Sequence, residues 1–158
     1  DHGKLIFCAA GTSSKWTNWA WVAFPASMPV VNGVTGIQDN LKVRCDICHE
    51  GPQVDFVVVM EKGNNKLKAL SLAMSGVNPS ITGGSSAATA SMAGMAAMVW
   101  SKFPTKSAAD ILRILKASSV NPDNNPNWGA GLLKVDKALE VDQPGAVRHI
   151  SQPTASTW

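Results

Sequence analysis

Apolar residues in this chain gather in short unbroken runs. Residues 4–10 (Lys-Leu-Ile-Phe-Cys-Ala-Ala) stop at Gly11, and residues 30–34 and 54–60 have the same character. Strands covered on both faces need runs of this kind, and the three together predict a mainly parallel sheet. Residues 66–74 differ: Leu70, Leu72 and Met74 alternate with Ser71 and Ala73, the period of a half-exposed strand or hairpin arm. Residues 87–100 are small side chains and Met, apolar around a whole helical circumference, which predicts a helix through the middle of the domain. Gly94 would let a neighbour approach it closely. A second helix is expected from Ser107, whose hydroxyl would cap the amide three residues on. Asp110 stands at the reciprocal position of a capping box, and Ile111, Leu112 and Leu115 supply the core face.

The connections read as clearly. Residues 11–29, rich in Ser, Trp and Pro, predict a long structured loop, the kind of segment that tends to carry function. Residues 121–127 (Asn-Pro-Asp-Asn-Asn-Pro-Asn) form a loop, Trp128-Gly129-Ala130-Gly131 a tight turn and residues 135–139 a short helix. After Glu140 the chain turns polar, so residues 1–140 are expected to be the folded unit and 141–158 a surface tail. The fold class is α/β, with a mainly parallel sheet and a buried central helix.

Composition narrows the function classes. A chain of 158 residues with 45% hydrophobic and 16% charged residues suits one domain with a real core and argues against disorder. Its net charge of +3 is scattered, with no dense basic run, which speaks against a nucleic-acid partner. Between Lys68 and Lys102 no residue is charged. A membrane span is the weaker explanation, because Asn78-Pro79-Ser80 and Thr82-Gly83-Gly84-Ser85-Ser86 interrupt the stretch and leave a helix short of the roughly 20 apolar residues a bilayer needs. The chain opens at Asp1 on a loop running into a strand, without Met or a visible signal peptide, and is expected to lack its natural beginning.

The candidate chemistry lies at the Gly-Ser junction ahead of the apolar helix. Residues 82–86 place a hydroxyl on a first helical turn, where free amides and the positive dipole end favour an anion. A nucleophilic serine needs such donors for its tetrahedral intermediate. An ordinary Ser cap after a Gly-rich turn fits the local pattern too. Cys45-Asp46-Ile47-Cys48-His49 has the spacing of covalent haem attachment, and equally suits a local disulfide, free thiols or a shared metal site. Cys8, in an apolar run, reads as an inert packing residue. Trp16, Trp19 and Trp21 read mostly as packing the long loop, and Met92, Met95 and Met98 as core.

Gly84-Ser85-Ser86-Ala87-Ala88-Thr89-Ala90-Ser91-Met92-Ala93-Gly94 resembles the Gly-Thr-Ser-Met-Ala-Thr-Pro-His-Val-Ala-Gly segment around the nucleophile of subtilisin-like serine proteases. Further matches follow in order: Cys8-Ala9-Ala10-Gly11, Phe24-Pro25, Met28-Pro29-Val30, Gly33-Val34-Thr35, Gly51-Pro52-Gln53-Val54-Asp55, Phe103-Pro104 and Gly129-Ala130-Gly131-Leu132-Leu133. The resemblance spans residues 4–139. An ordered series is far more specific than any one motif.

The resemblance implies an endopeptidase working through an acyl-enzyme on Ser86, whose amide would be one oxyanion donor. It implies that Ala9, Ala10 and Gly11 form the backbone wall of the first specificity pocket and Ala23 its floor. With no charge in these segments, an apolar substrate side chain is expected. Thr12 stands where the family usually has the oxyanion-hole Asn, and Ala90 and Ser91 replace Pro-His. The family's aspartate and histidine motifs have no counterpart here. His49 follows the family's chain order but lacks the histidine motif, and His2 and His149 fit less well. The triad Asp and His are therefore expected on an associated amino-terminal fragment, without which the fold is incomplete. A catalytically inactive pseudoprotease or peptide-binding module with the same fold is the alternative. The family is mostly secreted, so a secreted or periplasmic location is expected, and a Cys45–Cys48 bridge would suit it. No cofactor is required. Calcium is possible by resemblance alone, and although Asp39 and Asn40 could contribute, no ligand spacing supports a site.

Overall fold

The computed structural model describes residues 3–13, 21–62, 65–69 and 80–141, with backbone only for 65–69 and 80–82. The elements run β1 (Phe7–Ala9), β2 (Asn32–Gln38), β3 (Val54–Lys62), β4 (Asn65–Ala69), β5 (Ser80–Thr82), α1 (Gly84–Lys102), α2 (Ala108–Ala117), β6 (Ser119–Val120), β7 (Gly131–Leu133) and α3 (Val135–Glu140). β1, β2 and β3 pair in parallel, and β7 adds in parallel to the other edge of β3 at Phe56 and Val57. β4 joins that same edge further along, antiparallel at Glu61 and Lys62; β5 pairs antiparallel with β4, and β6 with β7. The result is the expected α/β arrangement, with a mixed, mostly parallel sheet.

β3 is the strand on which both cores are built. Phe56, Val58 and Met60 enter the cluster beneath the helices with Met92, Val99, Ile111 and Leu115. Val57 enters the opposite cluster with Ile37, Val54 and the fully buried Trp128. The two-residue pleat thus turns one unbroken apolar run into two covered faces.

Several elements differ from expectation. β1 is three residues long and only half-buried, Cys8 included, because it lies at the end of the sheet path. β2 starts two residues later than the apolar run and continues to Gln38; Val30 sits in the preceding turn, 73% exposed. Asn32 fixes that start, since its backbone N and side-chain Nδ2 both donate to the Ile6 carbonyl, at 2.8 and 3.0 Å. Of residues 66–74, β4 covers the first four, and 70–79 lie outside the described residues. α1 begins three residues early, taking in Gly84, Ser85 and Ser86. It is not buried all round: Ala88, Met92, Ala96 and Val99 are covered, while Ala90, Ser91, Ala93, Gly94, Ala97 and Met98 are exposed. The described residues cover it from one side only. Met92 is therefore core, Met95 half-buried and Met98 open. Trp21, 79% exposed, does not pack its loop. Trp16, Trp19 and the tail from residue 142 lie outside the described residues.

α2 starts as its sequence dictates. Ser107 Oγ accepts from Asp110 N at 3.1 Å and donates to Asp110 Oδ2 at 2.7 Å. Ile111, Ile114 and Leu115 are buried, with Leu112 half-buried. The Ser107 hydroxyl and then Arg113 hold the Asp110 carboxyl below its ordinary pKa. A lowered folded-state value stabilises the fold at pH above the unfolded carboxylate value, and that contribution disappears as pH falls through the lowered one. Side-chain NMR titration should find Asp110 ionised at a pH where exposed aspartates are half protonated, and Ser107→Ala should raise its pKa.

Asp55 ties the sheet to α2. Its Oδ2 accepts from the buried Gly33 amide at 3.0 Å and its Oδ1 pairs with Lys116 at 2.7 Å. Asp55→Ala should cost about 1–3 kcal/mol in urea unfolding, because an inward amide loses its acceptor. Lys116→Ala, which breaks only the partly exposed ion pair, should cost about 0–1 kcal/mol.

Candidate active site

The site forms where the first turn of α1 meets the end of β1. Gly83 is extended and contributes no side-chain cap, and the first turn holds no acidic residue. Its amides and the positive dipole end thus meet no neutralising group of the helix itself. Gly84 has φ +77°, and a Cβ there would lie 3.2 Å from Thr12 Oγ1. Glycine is required on both counts, since a side chain would be strained and would press on Thr12.

The two adjacent serines part company at once. Ser85 is fully buried, and its Oγ accepts from Gly11 N at 3.2 Å and lies 3.0 Å from Thr12 Oγ1. Ser86, the next residue around the helix, is exposed, and Thr12 is exposed beside the Ser85 contact. The helix end and the loop after β1 are therefore joined through Ser85, with two outward hydroxyl residues flanking the join.

Ala9, Ala10 and Gly11 carry the chain out of β1. Ala10 is buried; its N donates to Val34 O and its O accepts from Ala23 N at 2.7 Å. Ala23, half-buried, is thus fastened to the same backbone, and the cis Phe24–Pro25 bond follows it. Phe24 and Trp21 stand exposed nearby in sequence.

Cys45 and Cys48 are fully buried and joined as a disulfide. With the sulfurs bonded to each other, neither is available as a haem thioether or a thiolate ligand. His49 is 6% exposed and both ring nitrogens are engaged: Nε2 lies 3.0 Å from Ser13 Oγ and Nδ1 2.8 Å from the Trp21 carbonyl. His2 and His149 lie outside the described residues. Asn40 Oδ1 accepts from the amides of Lys42 and Val43, which spends that oxygen on the loop's own turn. Among the described residues no group of three His, Cys, Asp or Glu is placed to hold a metal ion, and no helix is long and apolar enough to cross a membrane.

Sequence reasoning passed over Ser85 and Ser13, and weighed His49 only as a triad base or a haem ligand rather than as a bridge between loops. The position of Ser85 directly before Ser86, where the resembling motif has Thr, was the available signal; nothing local announces Ser13.

Ser85→Ala should leave the Gly11 amide without its acceptor and cost about 1–3 kcal/mol in thermal or urea unfolding. Ser86→Ala, at an exposed position, should stay within about 0.5 kcal/mol of the parent.

The chain is 28% identical over 138 residues to subtilisin DY of Bacillus licheniformis, a match taking in 87% of this chain and 47% of that protein. It therefore spans about half the length of this relative. The fold is similar to that of MycP1 from Mycobacterium smegmatis, with TM-score 0.65, 23% identity, and coverage of 90% of this chain and 43% of that one. It is similar as well to fervidolysin from Fervidobacterium pennivorans, a keratinolytic enzyme related to subtilisin, with TM-score 0.66, 19% identity, and coverage of 91% and 23%. The subtilase family profile matches residues 1–140, and the chain belongs to that family.

Proposed function

We propose that this chain is the Ser86-bearing part of a serine endopeptidase, with the triad His and Asp supplied by an amino-terminal segment outside the chain. The observation that carries the reading is the join at Ser85, which sets exposed Thr12 beside the first turn of α1, next to exposed Ser86. His49 is unsuited to be the base, being buried with both nitrogens taken.

In the reaction, Ser86 Oγ attacks the scissile carbonyl carbon and its proton passes to the incoming histidine. The former carbonyl oxygen takes up the negative charge, the histidine returns the proton to the leaving amine, and water then hydrolyses the Ser86 ester. The Ser86 amide supplies one oxyanion donor. Thr12 supplies the other: its Oγ1 lies 3.0 Å from Ser85 Oγ, and with Ser85 as the donor in that contact the Thr12 hydrogen is free for the oxyanion. Ala9, Ala10, Gly11 and Ala23 form an uncharged pocket for an apolar side chain of a peptide or protein substrate.

The exposed face of α1 and the outer edge of β1 are where the amino-terminal segment docks. Both are apolar or hydrogen-bonding surfaces that a soluble fold covers, and Ile6, 52% exposed, lies beside that edge. The Cys45–Cys48 disulfide fits an oxidising, extracellular or periplasmic location.

A fluorophosphonate probe applied to the chain together with its amino-terminal segment should add one adduct, mapped to Ser86 by mass spectrometry and lost in Ser86→Ala. Thr12→Ala should lower kcat by on the order of 10²–10³ with little change in KM. An assembled protein that takes up no probe would refute the peptidase and leave a peptide-binding module of the same fold.

A further inference from the structure

We infer that His49 is a positioning residue that fixes the distance between the oxyanion wall at residues 11–13 and the pocket floor at residues 21–23; the inference rests on the proposed role of Ser86. The ring spans the two segments. The Trp21 carbonyl only accepts, so His49 Nδ1 carries the proton and donates to it at 2.8 Å. In the neutral ring Nε2 is then the acceptor, and the Ser13 hydroxyl donates to it at 3.0 Å. The backbone closes the clamp: His49 N donates to Gly11 O at 2.9 Å, and Ser13 N donates to Ile47 O at 2.8 Å. The ring also packs close against the wall, since a Cβ on Gly11 would come within 2.4 Å of Nδ1. Thr12 stands between two residues that His49 holds, which sets where its hydroxyl points.

The clamp is itself anchored. The buried Thr35 hydroxyl on β2 donates to the His49 carbonyl, and Arg44 donates to the Cys48 carbonyl. On the other side, Glu50 accepts from the Trp128 indole at 2.9 Å. With the Cys45–Cys48 bridge directly before it, the backbone that carries the imidazole is anchored on both sides of His49. A buried histidine serving only as core filler would not need one neutral tautomer bridging two loop segments.

Two readouts test this. Amide hydrogen exchange on the chain together with its amino-terminal segment should show residues 11–13 and 21–23 exchanging about tenfold faster in His49→Ala, with β3 and α1 unchanged. Nitrogen NMR of the parent should show the Nδ1–H tautomer. In the assembled enzyme, His49→Ala should lower kcat by about 10–10²-fold and raise KM. Ser13→Ala, which releases the wall alone, should lower kcat with KM unchanged. His49→Asn, whose amide N–H replaces Nδ1–H toward Trp21, should restore KM but not kcat. If His49→Ala does not fold, Ser13→Ala and His49→Asn carry the test. Unchanged exchange in both segments, or unchanged kinetics in a folded variant, overturns the inference. Should the assembled parent protein fail to turn over peptide, the Ser86 reading falls, and the exchange and tautomer results alone decide whether the clamp exists.

Discussion

Everything proposed for this chain depends on how closely the start of α1 approaches the end of β1. That approach leaves a side chain at Gly84 strained by its positive φ and tight against Thr12, and the gap is bridged by a buried hydroxyl, Ser85, which takes the Gly11 amide and touches Thr12. A buried polar atom in such a join must be fully partnered, since an orphaned donor there costs as much as the contact stabilises. The parallel sheet supplies the geometry: β1, β2 and β3 share one direction, so their ends and the helix that follows β5 gather at one edge of the domain. Ligand sites in open α/β sheets form at such edges for that reason.

The same architecture explains why α1 carries apolar side chains it does not bury here. A helix whose buried residues are Ala88, Met92, Ala96 and Val99 needs only one apolar stripe for the sheet it lies on. Ala90, Ala93, Gly94 and Ala97, exposed on the remaining circumference, are too small to be surface decoration and lack the charge a solvated helix face usually has. They suit close approach of a second surface, as the proposed docking of an amino-terminal segment requires.

What could be read from the sequence follows from which forces act locally. β3 was legible because an unbroken apolar run has few other uses, and the capped start of α2 because Ser107 and Asp110 act within one turn. β2 was misplaced because Gly33 and Gly36 dilute its apolar character, while its start is set by Asn32 reaching Ile6, a contact from another strand. β6 is two residues long and exists only through its pairing with β7, which no local pattern encodes. The extent of burial around α1 was overestimated because composition records what a helix is built to meet, not what this chain brings to it. Within the site, Ser86 and the residue 9–12 segment were identifiable through the resemblance. Ser85 and the His49 contacts were not, since their meaning lies in partners 74 and 36 residues away.

The paired serines show how one turn of helix separates structure from chemistry. Successive residues of an α-helix point about 100° apart, given 3.6 residues per turn. Because Ser85 is directed into the join with Gly11 and Thr12, Ser86 is turned out of it, into the exposed position next to the same helix end. The buried hydroxyl cannot serve as nucleophile without giving up the contacts that define the site. The exposed one can react without disturbing that join. In the proposed reaction, chemistry at Ser86 and integrity at Ser85 fall to neighbouring residues by helical phase, and a one-residue shift of the helix start would exchange the two.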